Sequence, residues 1–327
     1  MHGLYLTRRC DDLETLAHEL LGLHSWFSRN VPFSALIRGA DIHGWKTRLT
    51  KTWLYRGTLH GVTPEDLPEL LAISAKGEQS GYFAWLAKRA YKVDDLRDIA
   101  DEVVRLMEDG VYSRTEFRRI FAGRYDQRTI DHVFSPWGGI FTYLAQVGKV
   151  AFRDMGSRDF DLISAEPTQT FAEVLPDLIH RYFTAYGPAT LSDAAWFFGI
   201  SKEDTQKLRE LPLDDLQNFA HGGKTYYCGN DDNSIGEIPE MTLLSGFDPI
   251  ISSYTIDDRL IIPQEHKSRL VLKSGICLPS IAINGSVAGI WNIKKNEPTI
   301  EFFAPQPKRM QSAAYELVES MRCICIG

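Results

Sequence analysis

Thr52-Trp53-Leu54-Tyr55-Arg56-Gly57-Thr58-Leu59-His60-Gly61-Val62 is rich in aromatic and branched residues and interrupted by two glycines, the make-up of a twisted or bulged strand pair. Helices are expected before it. Leu13, Leu16, Ala17, Leu20 and Leu21 recur at spacings of three and four and so share one helical face. Pro32 suits a first helical position and Gly39 a stop, framing a short helix over 33–38, and a third begins in 45–49. Short helices followed by a small hairpin make a winged helix. Thr63-Pro64-Glu65-Asp66 then opens another helix, with Thr63 as cap, Pro64 in the first turn and two carboxylates at the positive end of the helix dipole.

The same order recurs twice downstream. Leu96, Ile99, Ala100, Val103 and Met107 form a stripe that stops at Gly110, and Ser113-Arg114-Thr115-Glu116 is a capping box for a helix with Phe117, Ile120 and Phe121 inside. A third helix over 140–147, a strand over 149–153 and a turn at Gly156-Ser157 complete a second helix-and-wing set. Thr170-Phe171-Ala172-Glu173 caps the clearest helix of the chain, with Val174, Leu175, Leu178, Ile179, Tyr182 and Phe183 on one side. Helices over 191–198 and 201–208 and a strand over 225–228 follow. From Met241 the pattern changes: Asn284-Gly285 between apolar runs marks a hairpin, 299–303 adds a strand, and a last helix is expected to turn Met310, Ala313, Leu317 and Met321 inward. The expected fold is α+β, mainly α. It comprises three tandem winged-helix modules (1–92, 93–168 and 169–240), then a C-terminal β-rich element with a final helix (241–327).

Composition narrows the function. At 327 residues the chain exceeds what one core comfortably organises, and 44% hydrophobic against 24% charged residues favours packed modules over disorder. No apolar run approaches the roughly 20 residues that span a bilayer, and the first residues lack a signal peptide's apolar stretch, so a cytoplasmic protein without membrane partners is expected. Five scattered cysteines read as reduced thiols. Cys323 and Cys325 have no second ligand pair, so no metal is expected, nor any cofactor. The net charge of −7 excludes a protein that coats nucleic acid indiscriminately. Two local basic runs stand out, Arg38, Lys46, Arg48, Lys51 and Arg56 against Asp41, and Arg114, Arg118, Arg119, Arg124 and Arg128 against Glu116 and Asp126. Either run alone reads as a solvated face.

Three segments together carry a resemblance: Trp53-Leu54-Tyr55-Arg56-Gly57-Thr58-Leu59-His60, the stretch Tyr186-Gly187-Pro188-Ala189-Thr190 running to Trp196, and Leu243-Leu244-Ser245-Gly246-Phe247-Asp248-Pro249 with Gly285-Ser286-Val287-Ala288-Gly289-Ile290-Trp291. In this order the chain resembles the AlkZ/YcaQ superfamily of winged-helix DNA glycosylases. The resemblance implies three winged-helix modules gripping duplex DNA and hydrolysis of the N-glycosidic bond of an alkylated, N7-substituted purine; a monomer is expected. It also implies a Gln-x-Gln or Gln-x-Asp motif after an N-terminal Gly-Leu; the matching stretch, Gly22-Leu23-His24-Ser25-Trp26, departs at both motif positions.

Breaking that bond passes through an oxocarbenium-like sugar, so the site must hold a water and stabilise positive charge. On the resemblance, His24 replaces the first glutamine, accepting a hydrogen bond from the water through a neutral ring nitrogen. Trp26, with one donor and no acceptor, stacks on a base or fills the gap of an extruded nucleotide. Read from the residues alone, His24 is a helix-end histidine and Trp26 a core aromatic near Phe27. The expected DNA contacts are Arg38, Arg56 and His60, with Arg118, Arg119, Lys294 and Lys295 on the backbone phosphates, although Lys294-Lys295 beside Asn296 also suits a plain turn. The alternative functions are a winged-helix DNA-binding protein without glycosylase activity and a protein-interaction scaffold.

Overall fold

The computed structural model describes residues 1–74, 92–229, 236–255 and 261–322. The chain divides into two compact units, one of Met1–Trp45 with Pro176–Gly327 and one of Lys46–Leu175. It is a mixed α/β protein in which helix outweighs strand.

The first unit begins with α1 (Leu13–Glu19), β1 (Leu23–His24) and α2 (Asn30–Arg38). Asp12 caps α1, its carboxylate accepting the Thr15 N–H at 2.7 Å. The far end closes as a Schellman turn, Gly22 N–H donating to the Ala17 carbonyl at 2.7 Å and Leu21 N–H to that of His18 at 3.1 Å. The residue that turns left-handed there is Leu21, at φ 54, where glycine is usual; the strain of about 1 kcal/mol is held by burying its side chain completely.

The second unit runs through α3 (Trp45–Arg48), β2 (Thr50–Trp53), β3 (Leu59–Val62), α4 (Leu67–Ser74), α5 (Val93–Glu108), α6 (Arg114–Phe121), α7 (Gln127–Val133), α8 (Ile140–Gln146), β4 (Val150–Phe152) and β5 (Phe160–Leu162). Within it the strand order is β3-β2-β4-β5, all antiparallel. The opening sequence stretch is therefore a hairpin, pairing Thr50 with Val62 and Trp53 with Leu59. A tight turn over Tyr55–Gly57 joins its strands, with Arg56 left-handed at φ 53. The Ser113–Glu116 capping box forms in both directions, and the α5 stripe Leu96, Ile99, Ala100, Val103 and Met107 is buried. The core is aromatic: Phe117, Phe121, Phe134, Phe141 and Phe160 are fully buried, and Phe141 stacks on Phe160 with centroids 4.1 Å apart. Helix α7 has no counterpart in the sequence reading, because seven residues with only Ile130 and Val133 buried are too short a stripe to register as a period.

The chain then returns to the first unit along α9 (Phe171–Tyr186), followed by α10 (Leu191–Phe198), α11 (Lys202–Leu208), β6 (Gln217–His221), β7 (Lys224–Cys228), β8 (Met241–Leu244), α12 (Pro249–Ser252), α13 (Lys267–Leu270), β9 (Ser280–Ile283), β10 (Ser286–Lys294), β11 (Glu297–Phe302) and α14 (Lys308–Ser320). Tyr186 reaches from α9 to the Leu20 carbonyl with its hydroxyl at 2.7 Å, tying α9 to the end of α1. Strands β11-β10-β9-β8 form one sheet and β6-β7 a separate hairpin. Asn284 (φ 48) and Gly285 (φ 79) make the β9–β10 turn. Lys295 (φ 50) and Asn296 (φ 67) make the β10–β11 turn, the left-handed pair of a type I′ hairpin. Phe33, Leu243, Ile281, Trp291, Ala314, Val318 and Met321 pack α2 and α14 against this sheet. Of the expected inward face of α14, Met310 and Met321 are buried as expected, and the middle is corrected: Ala314 and Val318 point inward, while Ala313 is half-buried and Leu317 is 37% exposed; both stripes are apolar, and the sheet selects the one through Ala314 and Val318. Cys10, Cys228 and Cys277 are free thiols; Cys323 and Cys325 lie outside the described residues.

Candidate functional site

The Schellman turn that ends α1 delivers the backbone directly into Leu23-His24-Ser25-Trp26. His24 is buried at 8% exposure, and its ring lies parallel on the Phe247 ring, centroids 4.1 Å apart at 4°. The backbone N–H of Trp26 donates to His24 Nδ1 at 3.3 Å. With Nδ1 accepting, the proton of a neutral ring sits on Nε2. Phe27 is 47% exposed and lies tilted at 43° to the Phe247 ring, centroids 6.3 Å apart. Trp26 is half-buried. Two polar atoms flanking the motif, Ser25 Oγ and Asn30 Nδ2, are buried without a hydrogen bond. Such atoms are uncommon in packed interiors.

Phe247 is itself held from behind. It sits left-handed at φ 54 in a turn where its N–H donates to the Cys277 carbonyl at 3.2 Å. The next residue, Asp248, accepts from Ser245 N at 3.0 Å, Ser245 Oγ at 3.1 Å and Ile250 N at 3.2 Å, which caps α12 ahead of Pro249. Its carboxylate is gripped by Arg38, with Nη2–Oδ1 at 2.8 Å and Nη1–Oδ2 at 3.2 Å, and neither side chain is exposed to solvent. Arg38 Nε donates to the Leu4 carbonyl at 2.8 Å, and Nη1 also donates to Ser34 Oγ at 3.0 Å. Arg38, Asp248, Phe247 and His24 thus form one line of contacts, each fixing the next.

The expected DNA contacts separate on burial. Arg38, read as a phosphate contact, is corrected: its donors are committed inside the protein. His60 is corrected in the same way. It is 5% exposed, lies edge-on to Tyr55 at 5.1 Å, and burial together with the Arg56 charge pushes it down to about 3, so the ring is neutral and offers no charge to a phosphate at pH 7. Arg56 is half-buried in the β2–β3 turn. Arg118 is ion-paired with Asp131, whereas Arg119 next to it is exposed. Lys294 and Lys295 are exposed at the tip of the β10–β11 hairpin. Within the first unit the structure therefore joins His24, Trp26 and Arg38 through Phe247 and Asp248, with Lys294 and Lys295 on the hairpin; within the second it joins Arg56 to His60 and sets Arg118 and Arg119 on α6. Sequence reasoning gave no role to Phe247 or Asp248. The available signal was Asp-Pro, which marks a cap followed by a first-turn proline. Among the described residues no three His, Cys, Asp or Glu side chains group as metal ligands, and no helix is long and apolar enough to cross a membrane.

Comparison with known proteins places the chain in a class. The model of the family described as "DNA glycosylase AlkZ-like" matches residues 45–319, most of the chain. An interstrand DNA cross-link repair glycosylase from Streptomyces sahachiroi is 24% identical over 286 residues, covering 82% of this chain and 76% of the relative. Among solved structures, Streptomyces sahachiroi DNA glycosylase AlkZ superposes with a TM-score of 0.77 over 99% of this chain and 94% of that one, at 21% identity. The enzyme class is that of a DNA glycosylase. The chain belongs to the AlkZ-like family, whose matched span begins after the His24–Trp26 segment.

Proposed function

We propose that this protein binds damaged double-stranded DNA as a cytoplasmic monomer and hydrolyses the N-glycosidic bond of an N7-substituted purine, with His24 as the residue that orients the water. The observation that carries this reading is the His24 ring, clamped flat on Phe247 and backed by a buried ion pair, which removes the rotational freedom a water-orienting group must not have. Water adds to the sugar C1′ as the C1′–N9 bond breaks; the bonding pair returns to N9 and cancels the positive charge of the alkylated ring, and the water's proton leaves through the imidazole. Taking that proton on Nε2 requires the other neutral tautomer, in which Nδ1 carries hydrogen and gives up its bond to Trp26 N; at 3.3 Å that bond is a weak one. Trp26 stacks on the damaged base or fills the space it leaves. The interstrand cross-link repair glycosylase among the relatives supports a lesion bulkier than a methyl group.

DNA binding on this reading uses three winged-helix modules, 1–92, 93–168 and 169–240, with 241–327 as the β-rich element. The order α9, α10, α11, then β6–β7, three helices followed by a hairpin, supports one such module, and α5 to α8 followed by β4–β5 supports a second that carries one helix more. Arg56, Arg119, Lys294 and Lys295 supply phosphate contacts, with Arg118 joining them on release from Asp131. The test is incubation with duplex DNA carrying 7-methylguanine or a bulkier N7 adduct, scored as alkali-labile sites. His24→Ala should abolish cleavage and spare binding, and His24→Gln should restore it. Absence of cleavage on every adduct while DNA is bound leaves a DNA-binding protein without chemistry, the reading favoured by the missing acceptor at Trp26.

A further inference from the structure

Trp137 is the most exposed large hydrophobic side chain among the described residues, at 75%. It belongs to the second unit, in Ser135-Pro136-Trp137-Gly138-Gly139 between α7 and α8. An indole kept in water forgoes the largest burial energy any side chain can gain, and such exposure on a folded surface marks a contact site.

The loop that carries it is built, not slack. The Trp137 N–H donates to Ser135 Oγ at 3.3 Å, Gly138 N–H to the Ser135 carbonyl at 3.1 Å, and Thr142 N–H to the Gly139 carbonyl at 3.1 Å. Gly138 lies at φ 140 and Gly139 at φ 65. A Cβ on Gly138 would stand 2.0 Å from Thr142 Oγ1, and one on Gly139 2.1 Å from the Val133 carbonyl oxygen, so only glycine allows the chain to turn here. Phe134 before the loop and Phe141 after it are fully buried, with their rings 6.3 Å apart. Both ends are anchored in the core, and the indole is presented outward from a fixed base.

We propose that Trp137 is a base-stacking contact that recognises interrupted stacking in duplex DNA, and this rests on the DNA reading above. Helix α8, which the loop enters, is the last helix before the β4–β5 hairpin, the position from which a winged-helix module approaches base edges with the N-terminal end of that helix. Arg119 on α6 and Arg128 on α7, both exposed in the same unit, give that unit positive charge for phosphate contacts. An intact duplex offers a protruding indole no free base face. A step where a base is missing or displaced does, and an apolar wedge gains there what unstacking would otherwise cost.

The experiment uses the full chain and two duplexes of one sequence, one intact and one with a single tetrahydrofuran abasic analogue flanked by 2-aminopurine, with binding read by anisotropy. Trp137→Ala should weaken binding to the abasic duplex roughly 5- to 150-fold while changing the intact duplex by no more than about 2-fold, and Trp137→Phe should recover most of the loss. Quenching of 2-aminopurine by the wild type should disappear in Trp137→Ala. If the wild type binds both duplexes and Trp137→Ala binds them equally well, the stacking role is overturned and the DNA reading stands. A wild type that binds neither duplex removes both. Self-association of the wild type that Trp137→Ala abolishes would assign the indole to a second copy of the chain and likewise overturn the proposal.

Discussion

Replacing Asp248 by alanine is the perturbation whose size follows most directly from the structure. The carboxylate meets Arg38 in a two-pronged pair at 2.8 and 3.2 Å with both side chains at zero exposure. Removing it strands a buried guanidinium with only the Leu4 and Ser34 acceptors. Deleting one member of a buried pair costs about 3–5 kcal/mol, and losing the cap of α12 adds about 1 kcal/mol. The unit should melt about 8–24 °C lower, at about 2–4 °C per kcal/mol for a body of this size. Scanning calorimetry and urea denaturation followed by near-ultraviolet circular dichroism both read this. The double variant Arg38→Met with Asp248→Leu removes both charges, and its stability should return to within about 1–2 kcal/mol of the wild type. Because the Arg38 guanidinium is enclosed, the double variant should also keep the wild-type dependence of DNA affinity on salt; a lost phosphate contact would lower that slope by about 0.9. A cost below about 1 kcal/mol for Asp248→Ala, or a double variant worse than either single one, would refute the reasoning.

Other outcomes follow from the same contacts. His60 stays neutral in the folded protein down to about 3, so as pH falls below about 6.5 the unfolded chain binds a proton that the folded chain refuses. Stability should fall by about 2 kcal/mol between pH 7 and pH 5 from this residue, and His60→Gln should flatten that part of a urea-midpoint profile. Trp26→Gln returns an amide acceptor to the second motif position; depurination of 7-methylguanine DNA should rise about 10-fold or more, and no rise would detach Trp26 from the reacting centre. Asn296→Gly relieves a left-handed non-glycine at φ 67 and should stabilise the chain by about 0.5–1 kcal/mol. Lys295→Asn suits the same turn and should reduce the salt slope of DNA binding by about 1 while preserving the melting temperature.

What the sequence disclosed was local, and what it concealed depended on distant partners. Capping boxes at Ser113–Glu116 and Thr170–Glu173, the Asn284-Gly285 turn and the α5 and α9 stripes need only neighbours a few residues away, and each formed as written. Strand β6 was missed because all five of its residues are exposed, leaving no alternation to detect. On α14 the sequence places Met310 and Met321 inward as found, but between them two apolar pairs compete, and the sheet selects Ala314 and Val318 over Ala313 and Leu317. Arg38 looked like one cation in a basic run; it is interior because Asp248, 210 positions away, pairs with it, and a charge is almost never fully buried without such a partner. His24 could be singled out by resemblance, but its stacking on Phe247 joins segments that no periodicity connects.

The discontinuity of the first unit bears on the order in which the protein becomes competent. A growing chain makes residues 1–45 first, yet Phe247 and Asp248 emerge only after some two hundred more have been added, on the order of 10–40 s at about 5–20 residues per second. Residues 46–175, contiguous and with their own aromatic core, have everything required to consolidate in that interval. Until then the imidazole at position 24 lacks its backing ring and the guanidinium at 38 its counter-ion, so the nascent chain carries an unassembled candidate site while about two-fifths of its residues are already folded. Limited proteolysis of ribosome-bound chains stopped ahead of residue 248 should find the inserted body protected and the amino-terminal segment open to cleavage.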